Sequence, residues 1–374
     1  MSAATSVYLD HNATSPLRPE AFAAMVDALR RGGNPSSVHR LGREARATVE
    51  KARRQVAGLV GAMPSEVVFT SGGTEANNLA LAGAGRRRIL VSAVEHDSVL
   101  RAAQNMEIVP VDGNGIVDLA ALQRLLARPR EPALVSVMFA NNETGVLQPI
   151  ADVVRVARDA GALVHCDAVQ GAGRAALDFH GLGVDYMSLS AHKLGGPSGV
   201  GALVVRNGAP LIADRIGGGQ EGNRRAGTEN VGGIAGFGAA AEAAGRGLDV
   251  ETMRDRLETA LRLIAGEAVV FGARARRLGN TSCISMPGVK AETQVMALDL
   301  AGVCVSAGAA CSSGKVTRSP VLLAMGVDPA LADTAIRISL GWNSQPQDIE
   351  RLIAAWRDLY IRVNRSDMSR VRAA

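Results

Sequence analysis

Short apolar runs recur through the first half of the chain, each closed by polar or glycine-rich residues and separated by stretches with apolar positions every third or fourth residue. Residues 66–69, 88–92, 134–139, 162–165 and 186–189 therefore read as strands, and 19–29, 41–60 and 150–160 as helices. This alternation argues for βαβ units on a mainly parallel sheet, an α/β fold. The run 134–139 has no polar face, as expected of a strand covered on both sides. Residues 200–205 read as one more strand, at the sheet edge and antiparallel. Beyond an arginine-rich helix at 248–267 the pattern changes to short strands (283–286, 303–306, 336–339) and helices (293–301, 346–360), a small α+β domain.

With 374 residues, 47% of them hydrophobic, the chain can bury large cores, and its length favours two domains over one. No like-charged block or low-complexity tract of the disordered kind occurs, so it reads as soluble and globular. The net charge of +5 is spread over Arg86 to Arg88, Arg276, Arg277 and the tail, which points to an acidic protein partner. Aromatics make up only 3%, too few for the stacking platforms of a single-strand nucleic-acid binder. No apolar run reaches the roughly 18 residues of a membrane span, and no secretory signal opens the chain. The four cysteines form neither a Cys-x-x-Cys pair nor zinc-ligand spacing, so a reducing cytoplasm and no metal are expected.

The stretch from Met187 to Pro197 runs from strand into a polar turn that presents one lysine. Burial there would lower the Lys193 pKa and make its amine a nucleophile suited to a Schiff base, whereas most lysines are simply solvated. Asp167 closes another apolar run, at a strand's carboxyl end where open α/β sheets bind ligands, and Gln170 follows it. A buried Asp needs a cationic partner such as the pyridinium nitrogen of pyridoxal phosphate (PLP); otherwise it caps the next helix. Residues 70–75 turn from strand to helix, either cradling an anion on amides near Gly73 and on Thr74 Oγ or forming an ordinary capped turn. His96, after a strand, is a structural histidine or an acid–base group, and Asn142 donates to a ligand or shapes a turn. Gly-rich, basic 217–228 is a surface loop or an anion site. Cys311 lies among small residues, more a loop than a packed strand, where an exposed thiol can collect and hand on sulfur; a structural thiol is the alternative.

In this order, Thr70 to Asn78, Val94-Glu95-His96-Asp97, Ala140 to Gly145, His165 to Gln170 and Ser190-Ala191-His192-Lys193 resemble the class V aminotransferase superfamily. Within it, Arg225 to Asn230, Ser306 to Ser313 and Ile336 to Gly341 look like the cysteine desulfurases of the NifS/IscS group, and the resemblance extends from Tyr8 to the last helix. It implies a PLP-dependent transferase of fold type I. Residues 16–255 would form the large domain on a mainly parallel seven-stranded sheet, and 1–15 with 256–374 the small α+β domain carrying the cysteine loop. By the same resemblance Lys193 holds PLP and moves the Cα proton, Asp167 keeps the ring nitrogen protonated, and Gln170 bonds the phenolic oxygen. His96 stacks on the ring and carries protons. Gly73, Thr74, Ser190 and His192, with Thr228 from the neighbouring subunit of a homodimer, bind the phosphate.

The resemblance further implies that Arg337, with Asn142 and Asn34, takes the carboxylate of L-cysteine. Cys311 receives the sulfur as a persulfide, L-alanine is left, and the sulfur passes to an acceptor or scaffold protein for iron–sulfur clusters or another thio-cofactor. Of three departures, Gly308-Ala309-Ala310 before Cys311 is conservative, while Gly314 to Pro320 after it and Trp342 where many relatives have arginine bear on partner choice more than on chemistry. Selenocysteine lyase or another class V aminotransferase is the near rival, and amino transfer would not need Cys311. A non-catalytic iron–sulfur assembly platform is the distant one, and the joint presence of Lys193, Asp167, His96 and Cys311 argues against it.

Overall fold

The computed structural model of the protein describes residues 6–103, 105–128, 131–244, 249–308 and 318–372, with side chains to 363. Its strands are β1 (Val7–Tyr8), β2 (Val67–Thr70), β3 (Arg88–Ser92), β4 (Glu107–Val109), β5 (Ala133–Ser136), β6 (Leu163–Asp167), β7 (Tyr186–Ser190), β8 (Gly201–Val205), β9 (Thr281–Ser285), β10 (Val303–Cys304), β11 (Ser306–Ala307) and β12 (Ala335–Ser339). Seven of them form one sheet in the order β2-β8-β7-β6-β5-β3-β4. Neighbours from β4 to β7 are parallel, and β8 is antiparallel to both β7 and β2, so β2 runs with the parallel set. The carboxyl ends of β2, β3, β5, β6 and β7 thus open on one edge, where ligands bind in such sheets.

Period-two alternation decides what each face of a strand meets. Val67 and Phe69 of β2, with Ala202 and Val204 of β8, join the core on one face; Val68, Leu203 and Val205 join the core on the other. The strand expected at 200–205 is antiparallel, but it is not an edge: β8 lies between β2 and β7. It carries none of the charges or prolines that blunt an exposed edge, and both its hydrogen-bonding sides are paired.

The helix Val231–Ala244 has no counterpart in the hydrophobic pattern, because Gly232, Gly233, Gly236 and Gly238 weaken helix propensity and its apolar residues face all round. It packs on the helices Pro19–Arg31 and Arg40–Leu59. A Cβ on Gly238 would lie 2.6 Å from Ala52 Cα, so glycine sets that close approach.

A second core gathers Val7, Leu9, Leu257, Leu261, Ile284, Ile336, Ile338 and Trp356 around the antiparallel sheet β11-β12-β9 and the parallel pair β1-β10. The single strand expected at 303–306 is two: Val303 and Cys304 pair with β1, while Ser306 and Ala307 pair with β12. The last helix, Pro346–Arg372, outruns its apolar pattern because no glycine or proline interrupts 361–372. A small cluster including Val94, Phe271, Cys283 and Leu322 ties the turn after β3 to this second body. Among the described residues no helix is long and apolar enough to cross a membrane.

Candidate active site

A cavity of about 320 Å³ lies where the carboxyl ends of the parallel strands meet β12 and the segment after β1. Most of its lining comes from strand ends and the turns or helix starts that follow them, with Arg337 from the middle of β12. Asp167, the last residue of β6, is buried; its Oδ2 accepts from Asn77 Nδ2 at 2.7 Å and its Oδ1 from Val169 N at 3.0 Å. Behind it, burial holds the Glu95 carboxyl well above the usual range, and the Met138 N–H bonded to Glu95 Oε1 only partly offsets this. Lys193 closes the single turn Ala191–Lys193 after β7, and its Nζ donates to Asn12 O at 2.6 Å and Ala13 O at 2.7 Å. Gln170 Nε2 donates to Asn12 O at 3.0 Å, and its Oε1 accepts from Arg174.

At one end of the cavity stand Gly73, Thr74, Ser190 and His192. The helix Gly73–Gly83 begins here with no side chain capping its first turn, and begins two residues before the expected Glu75. A Cβ on Gly73 would come within 2.8 Å of Val169 Cγ2, so only glycine lets the helix end approach the strand ends this closely. Burial, then the charges of Lys193 and Arg174, push the His192 imidazole down to about 4, leaving a neutral ring at pH 7. Below this turn Glu75 bonds Arg225; burial alone would raise its carboxyl, but Arg225 and the Ser71 N–H bring it down to about 2.

Arg337 projects from β12 and is 2% exposed. Its Nη2 donates to Asp10 Oδ1 at 2.8 Å and Nη1 to Asn142 O at 3.2 Å, while its buried Nε has no hydrogen-bond partner among the described residues. An orphaned guanidinium N–H in a cavity is what an anionic substrate group would satisfy. His96, the residue before the short helix Asp97–Leu100, and Asn142 complete the wall.

Ten of the residues singled out from the sequence therefore meet in one cavity: Gly73, Thr74, His96, Asn142, Asp167, Gln170, Ser190, His192, Lys193 and Arg337. Two do not. Asn34 is exposed in its loop and accepts from Ser36 N at 2.9 Å, and Thr228 lies beside Ser71 and Arg225 in a separate hollow of about 130 Å³. Cys311 lies outside the described residues. The flanks of its segment both meet Glu143: Ser319 Oγ donates to Glu143 Oε2, and a Cβ on Gly308 would lie 2.8 Å from that oxygen. Burial raises the Glu143 carboxyl above its ordinary range, although Ser319 and the cationic Arg337 pull the other way.

The residues fit PLP. An uncapped helix N-terminus with hydroxyls and a neutral imidazole suits a phosphate, a buried carboxylate suits a protonated ring nitrogen, and a lysine amine stands between. Asn12, Asn77, Ser98 and Arg174 were not legible as site residues. Asn77 lies four residues after Gly73 on the helix Gly73–Gly83, spacing that puts the pair on one face and signals shared surroundings, whereas Gln170 to Arg174 is a run of turns. Asn12 has no such signal, since its partners Asn142, Thr281 and Asn280 are brought up by tertiary packing. Trp342 donates to Pro16 O at 3.0 Å with the Arg18 guanidinium 5.2 Å over its ring, so it packs against the segment before the helix Pro19–Arg31 rather than lining the cavity.

The sequence profile of the aminotransferase class-V family matches residues 7–352. A cysteine desulfurase from Cereibacter sphaeroides is 45% identical over 364 residues, covering 93% of this chain and 94% of that protein. The cysteine desulfurase IscS of Dictyoglomus turgidum is 41% identical over 362 residues, with 92% and 91% covered. Among solved structures, a NifS-like protein from Rickettsia africae superposes with a TM-score of 0.89 at 36% identity, over 95% of this chain and 99% of that one.

Proposed function

The chain belongs to the aminotransferase class-V family and to its cysteine desulfurases, and from that premise we propose that it converts L-cysteine to L-alanine and keeps the sulfur on Cys311 as a persulfide. The observation that carries the reading is the convergence of Lys193, Asp167, His96 and Arg337, from four different elements, on one cavity. PLP, the cofactor of this family, supplies an electron sink that stabilises negative charge at the substrate Cα. The Lys193 amine would hold it and would remove the Cα proton, with the carbonyls of Asn12 and Ala13 steadying the ammonium. Asp167, oriented by Asn77 Nδ2 and Val169 N, would hold the ring nitrogen protonated. Ser190, His192, Thr74 and the amides at Gly73 hold the phosphate, and Gln170 the phenolic oxygen.

Arg337 has five donors, of which Asp10 and Asn142 O take two; the remainder, Nε included, bind the substrate carboxylate with help from the Asn142 side chain. Cys311 thiolate attacks the substrate sulfur: an S–S bond forms as the Cβ–S bond breaks, the bonding pair stays on carbon, and carbon takes a proton to become the alanine methyl. Sulfur is oxidised as carbon is reduced, so no outside oxidant enters. His96 carries protons in these steps.

The division into a large domain, 16–255, and a small one, 1–15 with 256–374, belongs to this reading and is supported by two separate cores. So does a cytoplasmic homodimer in which Thr228 serves the neighbouring subunit's phosphate. Thr228 stands away from its own cavity, and large apolar side chains at Val38 and Ile216, near Asn34 and the 217–228 loop, are exposed. A sulfur acceptor or iron–sulfur scaffold protein would take the persulfide.

The test is to incubate the purified protein with L-cysteine and a thiol reductant and to measure sulfide and alanine together. Equal amounts are expected from the wild type, with both lost in Cys311→Ala while the cofactor absorbance remains. Undiminished products from Cys311→Ala would overturn the persulfide role.

A further inference from the structure

Two side chains outside the assigned machinery, Asn77 and Ser98, join the ring-nitrogen partner to the proton carrier. Asn77 Nδ2 donates to Asp167 Oδ2 at 2.7 Å and to Ser98 Oγ at 2.8 Å. Ser98 Oγ lies 2.8 Å from His96 Nδ1, and Ser98 N donates to that same nitrogen at 3.1 Å. Amide and backbone N–H groups can only donate, so the Asn77 bonds and the bond from Ser98 N have fixed directions, while that between Ser98 Oγ and Nδ1 follows the ring's tautomer. His96 Nδ1 is therefore an acceptor, and the neutral ring carries its proton on Nε2. The Ser98 hydroxyl, already accepting from Asn77, turns its own hydrogen toward Nδ1. An unbroken run of hydrogen bonds leads from the Asp167 carboxylate to the imidazole, and both ends line the same cavity.

We propose that Ser98, supported by Asn77, is a positioning residue that holds His96 in the Nε2–H tautomer and locks its orientation to that of Asp167. A general acid or base works only when the nitrogen that exchanges the proton is the right one, and the ring's other nitrogen settles which that is. Asn77 is buried, with one amide group bridging two partners, so a shift of the ring would be felt at the carboxylate and the reverse. Without the hydroxyl, Nδ1 keeps one donor, the Ser98 N–H, and Asn77 loses an acceptor in a buried place. The loss is thus one of orientation and tautomer, not of the reacting groups.

The inference rests on His96 as the proton carrier, and its test reads the ring directly. In holoenzyme carrying ¹⁵N-labelled histidine, long-range proton–nitrogen correlation reports which nitrogen of His96 is protonated, with His96→Asn assigning the signal among six histidines. The expected pattern is Nε2–H in the wild type. Ser98→Ala mixes in the other tautomer, moving the two ring shifts toward each other, and lowers kcat about tenfold, less than the 10²–10⁴ contributed by an acid–base group itself. The KM for L-cysteine stays within about twofold, since no substrate contact is removed. Ser98→Thr, which keeps the hydroxyl, restores both the shifts and kcat. An Nδ1–H ring in the wild type, or unchanged shifts and kcat in Ser98→Ala, would overturn the proposal. Full turnover in His96→Asn would instead strike at the proton-carrier reading and leave the tautomer result standing.

Discussion

His165 stands within an apolar strand and His96 shortly after one, yet they sit in opposite surroundings. His165 is fully buried, two residues before Asp167 on β6, with Nδ1 2.8 Å from Ser136 Oγ and Nε2 2.9 Å from Ser188 Oγ. Burial pushes its imidazole down to about 4, against a weaker pull upward from Asp167. On unfolding, the ring returns to about 6.5 and takes up a proton between these values. Its contribution is therefore complete above pH 6.5 and is lost as pH falls toward 4, a change of about 3 kcal/mol. Urea unfolding at pH 7 and pH 4 should show the wild type losing about that much more than His165→Asn, which keeps a hydrogen-bonding side chain with nothing to titrate. Equal losses would mean that the buried ring accepts its proton inside the fold. Residue type and position along a strand were readable for both histidines. Which one reaches a cavity was not, since it depends on what the neighbouring strands place beside each ring.

Among the elements, the helix Val231–Ala244 shows where propensity and packing disagree. Replacing an exposed helical glycine by alanine stabilises by up to about 1 kcal/mol, and Gly58, in the last turn of the helix Arg40–Leu59 with open space where its Cβ would go, is such a site. Gly238 is the opposite case, with the Ala52 backbone 2.6 Å from its Cβ position. Gly58→Ala is expected to raise the melting temperature and Gly238→Ala to lower it, the latter by about 1–3 kcal/mol of overpacking; a rise in both would mean the two helices part easily. The expected strands and helices that did appear, such as β6, β7 and the helix Ile150–Asp159, obey short-range rules of period and turn chemistry. Of the differences, those at 200–205, 231–244 and 303–306 fall where partners far along the chain decide sheet position, helix contact or the splitting of a strand, and the short strand β4 and the helix Leu119–Leu126 have no counterpart among the expected elements.

At the scale of the whole molecule, the loop bearing Thr228 is held by a buried ion pair, Arg53 with Glu221, bonded through both guanidinium nitrogens at 2.7 and 2.9 Å. That clamp presents Thr228 away from its own cavity, and the dimer reading predicts complementation between chains. Lys193→Ala and Thr228→Asp homodimers should each be inactive, while co-expressed mixed dimers should regain one working site, the one pairing an intact Lys193 with the other chain's intact Thr228. Absence of recovery in verified mixed dimers would place Thr228 in the service of its own chain. By itself the sequence determined the strand ends and turns that carry Gly73, His96, Asp167 and Lys193, because apolar runs, glycine turns and helix starts are local and each can be read within a few residues. Only the tertiary structure decided that Asn77 reaches Asp167 across 90 residues and that Asp10 reaches Arg337 across 327. A hydrogen-bond partner brought up by packing leaves no trace in the residues beside it.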